Sequence, residues 1–298
     1  MKIFAENIPF FKANFHCHTT QSDGRLSPEE CVEFYRSAGY DILSITDHRR
    51  VTMPTYIPDD ILLLPGIELD YVLPGEWENQ WVHILGIGVE GNISDAWNRK
   101  ASVQEGIDLI NHKGGISVFA HPAWSMNTPA LMRTLTGLSG VEIWNSVSTL
   151  PYNADRADSS SLLDTTWASG GMVVPVMAND DSHAYGSEAG VAATMVQAES
   201  CTRESILESL RKGNFYATLG PEIHQIEMNH NEIRVQCSPA AAVIFYSNMP
   251  WTDNRAEVGT GITEATYRIQ SGEKFVRVEV RDECGRKAWS SPINISIR

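Results

Sequence analysis

The sequence predicts an α/β domain built on a barrel of mostly parallel strands, followed by a small all-β domain. As far as about residue 220, short apolar strands alternate with amphipathic helices in about seven strand–helix units. From about residue 222 the helical period is lost, and short alternating stretches follow one another between turn residues. Strand–helix alternation is typical of parallel sheets, and about seven units fit a barrel better than a doubly wound sheet. We therefore predict an α/β domain over residues 1–220 and a β domain over residues 221–298.

The first elements have clear boundary signals. KANFHCH is predicted to be a strand. SPEECVEFYRSAG is predicted to be a helix, because Ser27 and Glu30 have the spacing of a capping box and Pro28 takes the first helical position. The next strands are DILSITDH, ILLLPGIELD and WVHILGIGVE. A long helical segment is predicted over about residues 94–112, and a Gly-Gly pair ends it.

An apolar strand with a polar carboxyl end recurs through the rest of the α/β domain. ISVFAHP, GVEIWN and GMVVPVMAND are predicted strands, separated by the helical stretches LMRTLTG and SSSLLDTTWAS. RESILESLRKG is the last predicted helix and leads into NFYATLGP. No glycine-rich dinucleotide or P-loop fingerprint follows the first strand, so a nucleotide cofactor is not expected.

The C-terminal segment has the pattern of a small sandwich. EIRVQCS, AVIFYSN, ATYRIQ, KFVRVEVRD and KAWSSPINISI are short alternating stretches without helical period. Such a series is typical of an immunoglobulin-like fold. We expect this β domain to buttress the barrel or to mediate self-association, in which case the protein would be a homo-oligomer.

Composition and charge argue against several classes of protein. The formal net charge of −14 at pH 7 disfavours nonspecific binding to nucleic acid or to anionic membranes. No apolar run approaches the ~20 residues needed to span a bilayer, and the first residues lack a secretory hydrophobic core. The five cysteines are scattered without a CxxC pair, which is typical of reduced thiols. A soluble cytoplasmic protein that binds neither nucleic acid nor membranes is expected.

Side chains with metal-binding chemistry cluster at the carboxyl ends of the predicted strands, where parallel α/β folds build active sites. In FHCHTTQSDG, His16 and His18 are two residues apart and point to the same side of a strand, and Asp23 can return from the following loop. Imidazoles and carboxylates that converge are typical ligands of divalent metal ions. The candidate ligands are His16, His18, Asp23, His48, Glu68, His83, His121, Asp181 and His183.

A single histidine at a strand end makes a structural hydrogen bond more often than it binds a metal ion. Six histidines interleaved with carboxylates are difficult to explain in that way, because buried imidazoles and carboxylates need partners. Nine ligands also exceed what one tetrahedral zinc ion can use. Two or three divalent ions are therefore expected, with Glu68 as the natural bridge. His112, His224 and His230 are expected at the surface.

The motifs HCHTTQSDG, SITDH, PGIE, HILG, FAHP, VEIWN and DDSH, in this order, resemble those of the PHP (polymerase and histidinol phosphatase) family of metal-dependent hydrolases. The resemblance covers roughly residues 12–220. It implies a distorted (β/α)7 barrel with a dinuclear or trinuclear metal site at the carboxyl ends of the strands.

The resemblance also implies how the ligands are shared among the ions. The expected sets are His16, His18, Glu68 and Asp181 for one ion, Glu68, His83 and His121 for a second, and Asp23, His48 and His183 for a third. Zn²⁺, Mn²⁺ and Fe²⁺ all suit such mixed nitrogen and oxygen ligands. The last motif reads NDDSH rather than GSDxH, so either Asp180 or Asp181 could be the ligand; Asp181 keeps the D-x-H spacing and is preferred.

The activity implied is hydrolysis of a small phosphomonoester by a metal-bound hydroxide. His48, Asp181 and His183 are the catalytic candidates, and His48, His183 or the neighbouring Asp180 could serve as the acid for the leaving group. The expected partner is thus a small-molecule phosphate ester.

Substrate contacts are expected from the residues next to these candidates. Arg49 and Arg50 follow His48 directly and could point into the mouth of the site, where cations attract phosphoesters. It is equally plausible that both arginines are solvated loop residues without a role in substrate binding. Tyr185 follows His183 closely and could cap the pocket or simply pack.

Two other functions remain open. The nucleotide-phosphatase members of the family carry a helical insertion between the HILG and AHP motifs, whereas one helical stretch occupies that interval here. NFYATLGP, followed by a β domain ending in KAWSSPI, resembles a subgroup loosely related to a carbamate-ester hydrolase. A metal-dependent carboxyl- or carbamate-ester hydrolase is therefore the second hypothesis. The third is a metal-bearing binding module whose sandwich recognises a glycan or a protein.

Overall fold

The computed structural model describes residues 2–73, 80–91 and 93–295, which form a mixed α/β structure with one large sheet and few helices. The first nine strands are β1 (Phe10–Asn14), β2 (Ile42–Ile45), β3 (Leu62–Leu73), β4 (Gln80–Ile87), β5 (Ile116–Phe119), β6 (Gly140–Asn145), β7 (Val176–Asn179), β8 (Ala193–Gln197) and β9 (Phe215–Thr218). The remaining strands are β10 (Ile223–Asn229), β11 (Glu232–Ser247), β12 (Ala256–Arg268), β13 (Phe275–Arg281), β14 (Lys287–Ser290) and β15 (Ile293–Asn294). The helices are α1 (Pro28–Ser37), α2 (Val103–His112), α3 (Pro129–Met132), α4 (Ser160–Ala168) and α5 (Arg203–Lys212), with 3-10 turns at Ser146–Thr149 and Pro151–Asn153.

Strands β1 to β7 pair in chain order. The pairs β1–β2, β2–β3, β5–β6 and β6–β7 are parallel, whereas β3–β4 and β4–β5 are antiparallel. Strand β8 also pairs antiparallel with β1 and with β9. Four of the eight pairs among β1 to β9 in the described residues are thus antiparallel, and the expectation of mostly parallel strands is met only within the row β1 to β7. β4 runs against β3 because six residues, 74–79, separate them in the sequence, too few for the crossover of roughly a dozen residues that a parallel pair needs.

The two ends of this row meet just beyond β1 and β7. The backbone N–H of Asp181 donates to the carbonyl of His16 (2.8 Å), and the N–H of His18 donates to the carbonyl of Ser182 (2.9 Å). The side chain of Asn14 supports this junction by accepting from the backbone N–H of Asp180 (2.9 Å). These bonds bring candidate ligands from opposite ends of the α/β part next to one another.

Each of the five predicted helical stretches overlaps a helix, but α2 and α3 are shorter than predicted. Five helices in the described residues are also fewer than about seven strand–helix units would require. Among the described residues, no helix lies between β2 and β3, and α3 spans four residues. The helix predicted from about residue 94 begins only after Ser102, because Ser102 and Glu105 form a capping box there. The predicted capping box of Ser27 and Glu30 at the start of α1 is confirmed. Within the described ranges, none of the helices has the length and apolar character that a membrane crossing requires.

The C-terminal part consists of antiparallel strands around their own apolar core. β11 pairs with β10, β12 and β13, and β13 also pairs with β14 and β15. Alternate side chains such as Val243 and Phe245 of β11 and Val278 of β13 are buried together. β14 pairs with β9 and β9 with β8, so these strands continue the sheet of the α/β part. The boundary at residue 220 and the immunoglobulin-like topology stay predictions.

Helix α4 and strand β6 contact the C-terminal strands through an ion pair and stacked rings. Arg277 of β13, which is 1% exposed, donates two hydrogen bonds to the carboxylate of Asp164 in α4 (2.7 and 2.6 Å). Trp144 of β6 stacks on Trp289 of β14 with ring centroids 5.9 Å apart. Helix α4 and strand β6 are thereby tied to the C-terminal sheet.

Candidate metal centre

All nine candidate ligands converge at one end of the row β1 to β7. Carboxyl ends of neighbouring parallel strands meet at one edge of a sheet, which is why residues far apart in sequence become neighbours here. The ligands follow or lie in β1 (His16, His18), β2 (His48), β3 (Glu68), β4 (His83), β5 (His121) and β7 (Asp181, His183), and Asp23 belongs to the loop between β1 and α1.

Glu68 lies at the centre of the set and is 1% exposed. Its Oε1 lies 2.7 Å from Nδ1 of His83 and 3.3 Å from Nε2 of His121. Its Oε2 lies 3.2 Å from both Nε2 of His18 and Nδ1 of His48. A carboxylate in contact with imidazoles on both oxygens has the geometry of a bridging ligand, the role expected of Glu68.

Asp181 forms the second buried centre. Its Oδ1 lies 3.1 Å from Nε2 of His16 and 3.0 Å from Nε2 of His18. His16 Nε2 is also 3.4 Å from Oε1 of Glu68, so the two carboxylates share histidines. The inner part of the site is thus a single network rather than separate pairs.

Asp23, His48 and His183 form an outer group nearer to solvent. Oδ2 of Asp23 lies 3.6 Å from Nε2 of His48 and 3.5 Å from Nε2 of His183, and the Asp23 side chain is 54% exposed. Four sets of ligand atoms lie within 4.8 Å of one another: His16–His18–Asp181, His16–Glu68–His121, His48–Glu68–His83 and His18–Asp23–His48–His183. The sets differ from the expected distribution in pairing His16 with His121 and His48 with His83 through Glu68.

Several buried polar atoms of this network have no hydrogen-bond partner, which indicates whether the residues suit metal ions. Six such atoms belong to this network within the described part of the chain: Nε2 of His16, His18 and His83, Nδ1 of His48, Oε2 of Glu68 and Oδ1 of Asp181. An unpartnered buried polar group costs about 1–3 kcal/mol, and divalent ions would satisfy all six at once. The mixed imidazole and carboxylate donors fit Zn²⁺, Mn²⁺ or Fe²⁺.

Charges in the network stabilise one another against burial. Burial disfavours the ionised carboxylates, but the surrounding histidines hold the pKa of Glu68 and the pKa of Asp181 well below the usual range. Burial also opposes a charge on His18, yet the nearby carboxylates of Asp181 and Glu68 raise its pKa to about 10. Burial lowers the pKa of His48.

Glu142 supports the network from behind and was not identified from the sequence as a functional residue. Its carboxylate is fully buried and accepts from Nδ1 of His16 (2.9 Å) and from the backbone N–H of His121 (2.9 Å). The amides of Asn145 and Asn179 donate to it as well (3.0 and 2.9 Å). Because Nδ1 of His16 donates to Glu142, Nε2 is the nitrogen of His16 that faces the site. The signal in the sequence is a carboxylate inside the apolar strand GVEIWN.

Two aspartates next to predicted ligands have other partners. Asp47 accepts from the backbone N–H and the hydroxyl of Thr19 (2.7 and 2.6 Å) and from the hydroxyl of Ser22 (2.6 Å), which fixes the loop that carries Asp23. Asp180 accepts from the backbone N–H groups of residues 190–192 and from Tyr35, away from the histidines. Burial raises the pKa of Asp180 to about 6.

Several site residues hold backbone conformations that are unusual without glycine. The φ angles of Asp181, His121 and Arg49 are 56°, 27° and 62°. Left-handed backbone costs a residue with a Cβ atom about 1–3 kcal/mol and tends to cluster at functional sites. The network of hydrogen bonds around Glu142 and Glu68 holds these strained positions in place.

The site opens into a cavity of about 310 Å³. Trp124, Val147, Tyr152 and Asn153 line it together with candidate ligands from the inner and outer groups. An adjoining cleft of about 530 Å³ extends from this cavity toward solvent. The candidate ligands therefore face a space large enough for a small molecule.

The three predicted substrate-binding residues are arranged differently. Arg49 lines the outer cleft, where its guanidinium forms a bidentate ion pair with Asp70. Arg50 donates to the carbonyl of Gln21 (3.3 Å) at the exposed surface. Tyr185 donates to the carbonyl of His18 (2.7 Å) and packs its ring against Phe34, 5.3 Å away. The contacts of Tyr185 are those of a packing side chain behind the site.

Comparison with known proteins reveals a shared fold. No family model matches the chain. A two-domain protein of Bacteroides vulgatus, which contains a predicted PHP-like metal-dependent phosphoesterase, superposes with a TM-score of 0.54 at 16% identity, over 99% of this chain and 97% of that one. The resemblance to PHP proteins is thereby confirmed at the level of the fold. An amidohydrolase of Chromobacterium violaceum, solved with sulfate and no metal, aligns with a TM-score of 0.44 at 17% identity, over 60% of this chain and 89% of that one.

Sequence similarity extends over a shorter segment. The 5'-3' exoribonuclease Rnm of Escherichia coli is 33% identical over 84 residues, which are 26% of this chain and 27% of that protein. The chain thus spans about a quarter of the length of this relative.

Proposed function

We propose that this chain, which shares the fold of a PHP-like two-domain protein, is a metal-dependent phosphoesterase that hydrolyses a small phosphomonoester. The observation that carries the proposal is the set of six buried nitrogen and oxygen atoms without hydrogen-bond partners around Glu68 and Asp181. We infer two or three divalent ions, held by the nine candidate ligands within a barrel that β1 to β7 form. Two ions would use the inner sets, and a third the exposed set around Asp23.

Divalent ions held there would lower the pKa of a water molecule and neutralise charge on phosphoryl oxygens. The chain's own residues orient the ligands. His16 donates through Nδ1 to Glu142, and His121 contacts the Ser125 hydroxyl through Nδ1 (3.0 Å), so both keep Nε2 toward the site. Trp124 and Val147 line the cavity and restrict the access of bulk water.

The proton for the leaving oxygen is proposed to come from His183. Burial and the neighbouring His18 oppose a charge on its ring, but Asp23 and Asp181 outweigh them and raise the pKa of His183. Its Nδ1 donates to the carbonyl of Asp181 (2.7 Å), which leaves Nε2 on the cavity side beside Asp23. This role applies with two ions bound; with a third ion on Asp23, His48 and His183, water has to deliver the proton.

RNA is not proposed as the substrate. The similarity to the exoribonuclease covers about a quarter of that protein, and a net charge of −14 disfavours a polyanion. Of the two arginines that line the outer cleft, Arg49 is engaged by Asp70. A small phosphate ester, whose charge the metal ions would neutralise, is the partner that these charges support.

Metal analysis of protein purified without chelator, beside assays with p-nitrophenyl phosphate and p-nitrophenyl acetate, tests the proposal. We expect two or three ions per chain and a phosphatase activity that a chelator removes. In His16→Ala, metal content and activity should fall together. His224→Ala is the matched control, because that histidine is exposed and pairs with Glu222 away from the site.

The two assays separate the competing functions. Metal with esterase activity alone would replace the phosphoesterase by the carboxyl-ester hydrolase. The absence of bound metal, together with inactivity after addition of Mn²⁺ or Zn²⁺, would refute the proposal and favour a binding module. Full metal content in His16→Ala would show that the ligand assignment is wrong.

A further inference from the structure

The outer cleft is continuous with the cavity of the metal centre. Both are lined by His48, His83, Trp124, Tyr152 and Asn153. The cleft adds a second set of walls that do not belong to the metal network, chiefly Trp81, Met126 and Arg156. A substrate whose phosphoryl group lies at the ions would therefore extend its other end into this cleft.

Large apolar side chains are concentrated and exposed along this cleft. Trp81 is 46% exposed, Met126 65% and Tyr152 76%, and all three line the same space. Scattered exposed apolar residues are ordinary, but a contiguous apolar wall beside a polar centre marks a ligand site. Burial of such side chains against a ligand would recover the free energy that their exposure costs.

The aromatic rings stand within a short distance of the candidate ligands. The ring centroid of Trp124 lies 4.9 Å from that of His121 and 6.3 Å from that of His83. The ring of Trp81 lies 6.4 Å from His83. A ring joined to the ester oxygen through one or two carbon atoms can reach these surfaces. Offset or edge-to-face packing of rings contributes roughly 0.5–1.5 kcal/mol beyond burial.

The walls are held in place before any ligand binds. Trp81 lies in β4, and its carbonyl accepts from the amide of Asn127 (2.8 Å). The turn that carries Trp124 is closed by backbone hydrogen bonds from Ser125 to His121 (3.1 Å) and from Asn127 to Pro122 (3.0 Å). A preformed surface loses little conformational entropy on binding, which favours a rigid ligand.

The charges of the cleft favour a planar apolar group over a second phosphate. The guanidinium of Arg49 is already engaged in a bidentate ion pair with Asp70, a carboxylate that Arg99 also contacts (3.0 Å). Arg156 is the other cation of the cleft lining, and a single guanidinium can also pack on a ring face. A second phosphate would be expected to meet several free cations.

From these contacts we infer that the outer cleft is the leaving-group subsite and takes a planar aromatic group. The substrate class is thus a phosphomonoester whose alcohol carries an aromatic ring close to the ester oxygen. This inference rests on the proposed function, because it assumes that the phosphoryl group lies at the metal centre.

Calorimetric binding of two non-hydrolysable phosphonates to the metal-loaded protein tests the inference. We expect 2-phenylethylphosphonate to bind about tenfold more tightly than ethylphosphonate. Trp81→Ala should reduce this ratio toward one. Trp251→Ala is the control, because Trp251 is 71% exposed and does not line the cleft, so the ratio should stay that of the unmodified protein.

The outcomes separate the two proposals. Equal affinities in a protein that hydrolyses p-nitrophenyl phosphate would overturn the leaving-group subsite and leave the phosphoesterase standing. A preference that persists in Trp81→Ala and Tyr152→Ala would also overturn it, since the ring would then bind elsewhere. If neither phosphonate binds and p-nitrophenyl phosphate is not hydrolysed, the proposed function fails, and the subsite fails with it.

Discussion

Replacement of Glu142 by glutamine should weaken metal binding although Glu142 is not a candidate ligand. The carboxylate accepts from Nδ1 of His16 on one oxygen and from the backbone N–H of His121 on the other. A glutamine keeps an oxygen on only one of these sides. With its NH₂ toward His16, that histidine must carry its proton on Nε2, which then faces the metal centre. With its NH₂ toward His121, a buried backbone N–H loses its acceptor.

The loss of metal affinity or of folding free energy can be estimated for either orientation of the glutamine. Loss of a residue that orients a metal-bound histidine typically costs 10–100-fold in metal affinity, which is about 1.4–2.7 kcal/mol. An unpartnered buried N–H costs about 1–3 kcal/mol of folding free energy. We expect Glu142→Gln to show one or both effects. Competition of the protein with a fluorescent chelator measures the first, and urea unfolding of the metal-free protein measures the second.

Glu273→Gln is the matched control for this prediction. Glu273 is 7% exposed and accepts from the hydroxyl of Tyr267 (2.7 Å) and the N–H of Gln270 (2.7 Å) in the C-terminal strands. Its replacement should lower stability without changing metal affinity. Metal affinity within twofold of the unmodified protein in Glu142→Gln, with unchanged stability, would refute the role assigned to Glu142.

Three further predictions concern stability and the cleft. Removal of metal by a chelator should lower the free energy of unfolding by about 2.7 kcal/mol relative to protein with free metal at a hundredfold the Kd; coincident thermal transitions would contradict this. Arg277→Met should lower the free energy of unfolding by about 3–5 kcal/mol, because it leaves the carboxylate of Asp164 without its buried partner. The control Arg234→Met, which breaks an exposed ion pair, should lower it by less than about 1 kcal/mol. Urea unfolding measures both. Lys287→Met removes the 2.7 Å ion pair with Asp158. It should raise KM for p-nitrophenyl phosphate several-fold and change kcat less. An unchanged KM would exclude a positioning role for Lys287.

The candidate ligands could be brought together from the sequence because local rules determine where these side chains point. His16 and His18 share a side of the chain through the period of two in extended backbone. His48 and His121 directly follow apolar strands, so parallel pairing brings them to one edge. Of Asp180 and Asp181, only Asp181 has its carboxylate beside the histidines; its choice as the ligand stays a prediction.

Other features depend on contacts that no local pattern contains. Glu142 looks like one charged residue in an apolar strand, and its role depends on donors from β1 and β7 that are more than thirty positions away. The antiparallel direction of β4 follows from the length of one connection, whereas its nearly continuous apolar pattern is the one typical of buried parallel strands. The packing of Tyr185 behind His18 depends on the position of α1, whose Phe34 provides the neighbouring ring.

Residues 146–159 connect the metal centre with the C-terminal sheet and are held at both ends. At the first end, the amide of Asn145 donates to Oδ2 of Asp181 (3.1 Å), and its side-chain oxygen accepts from the N–H of Ser148 (3.3 Å). At the other end, Asp158 pairs with Lys287 of β14. Between them, Tyr152 lines the cavity and the cleft. Because Glu68 and its histidines lie on other strands, loosening of the far end should alter the substrate cleft and leave metal content unchanged. A change in KM would therefore report on the Asp158 end of residues 146–159, and a change in metal content on the end beside Asp181.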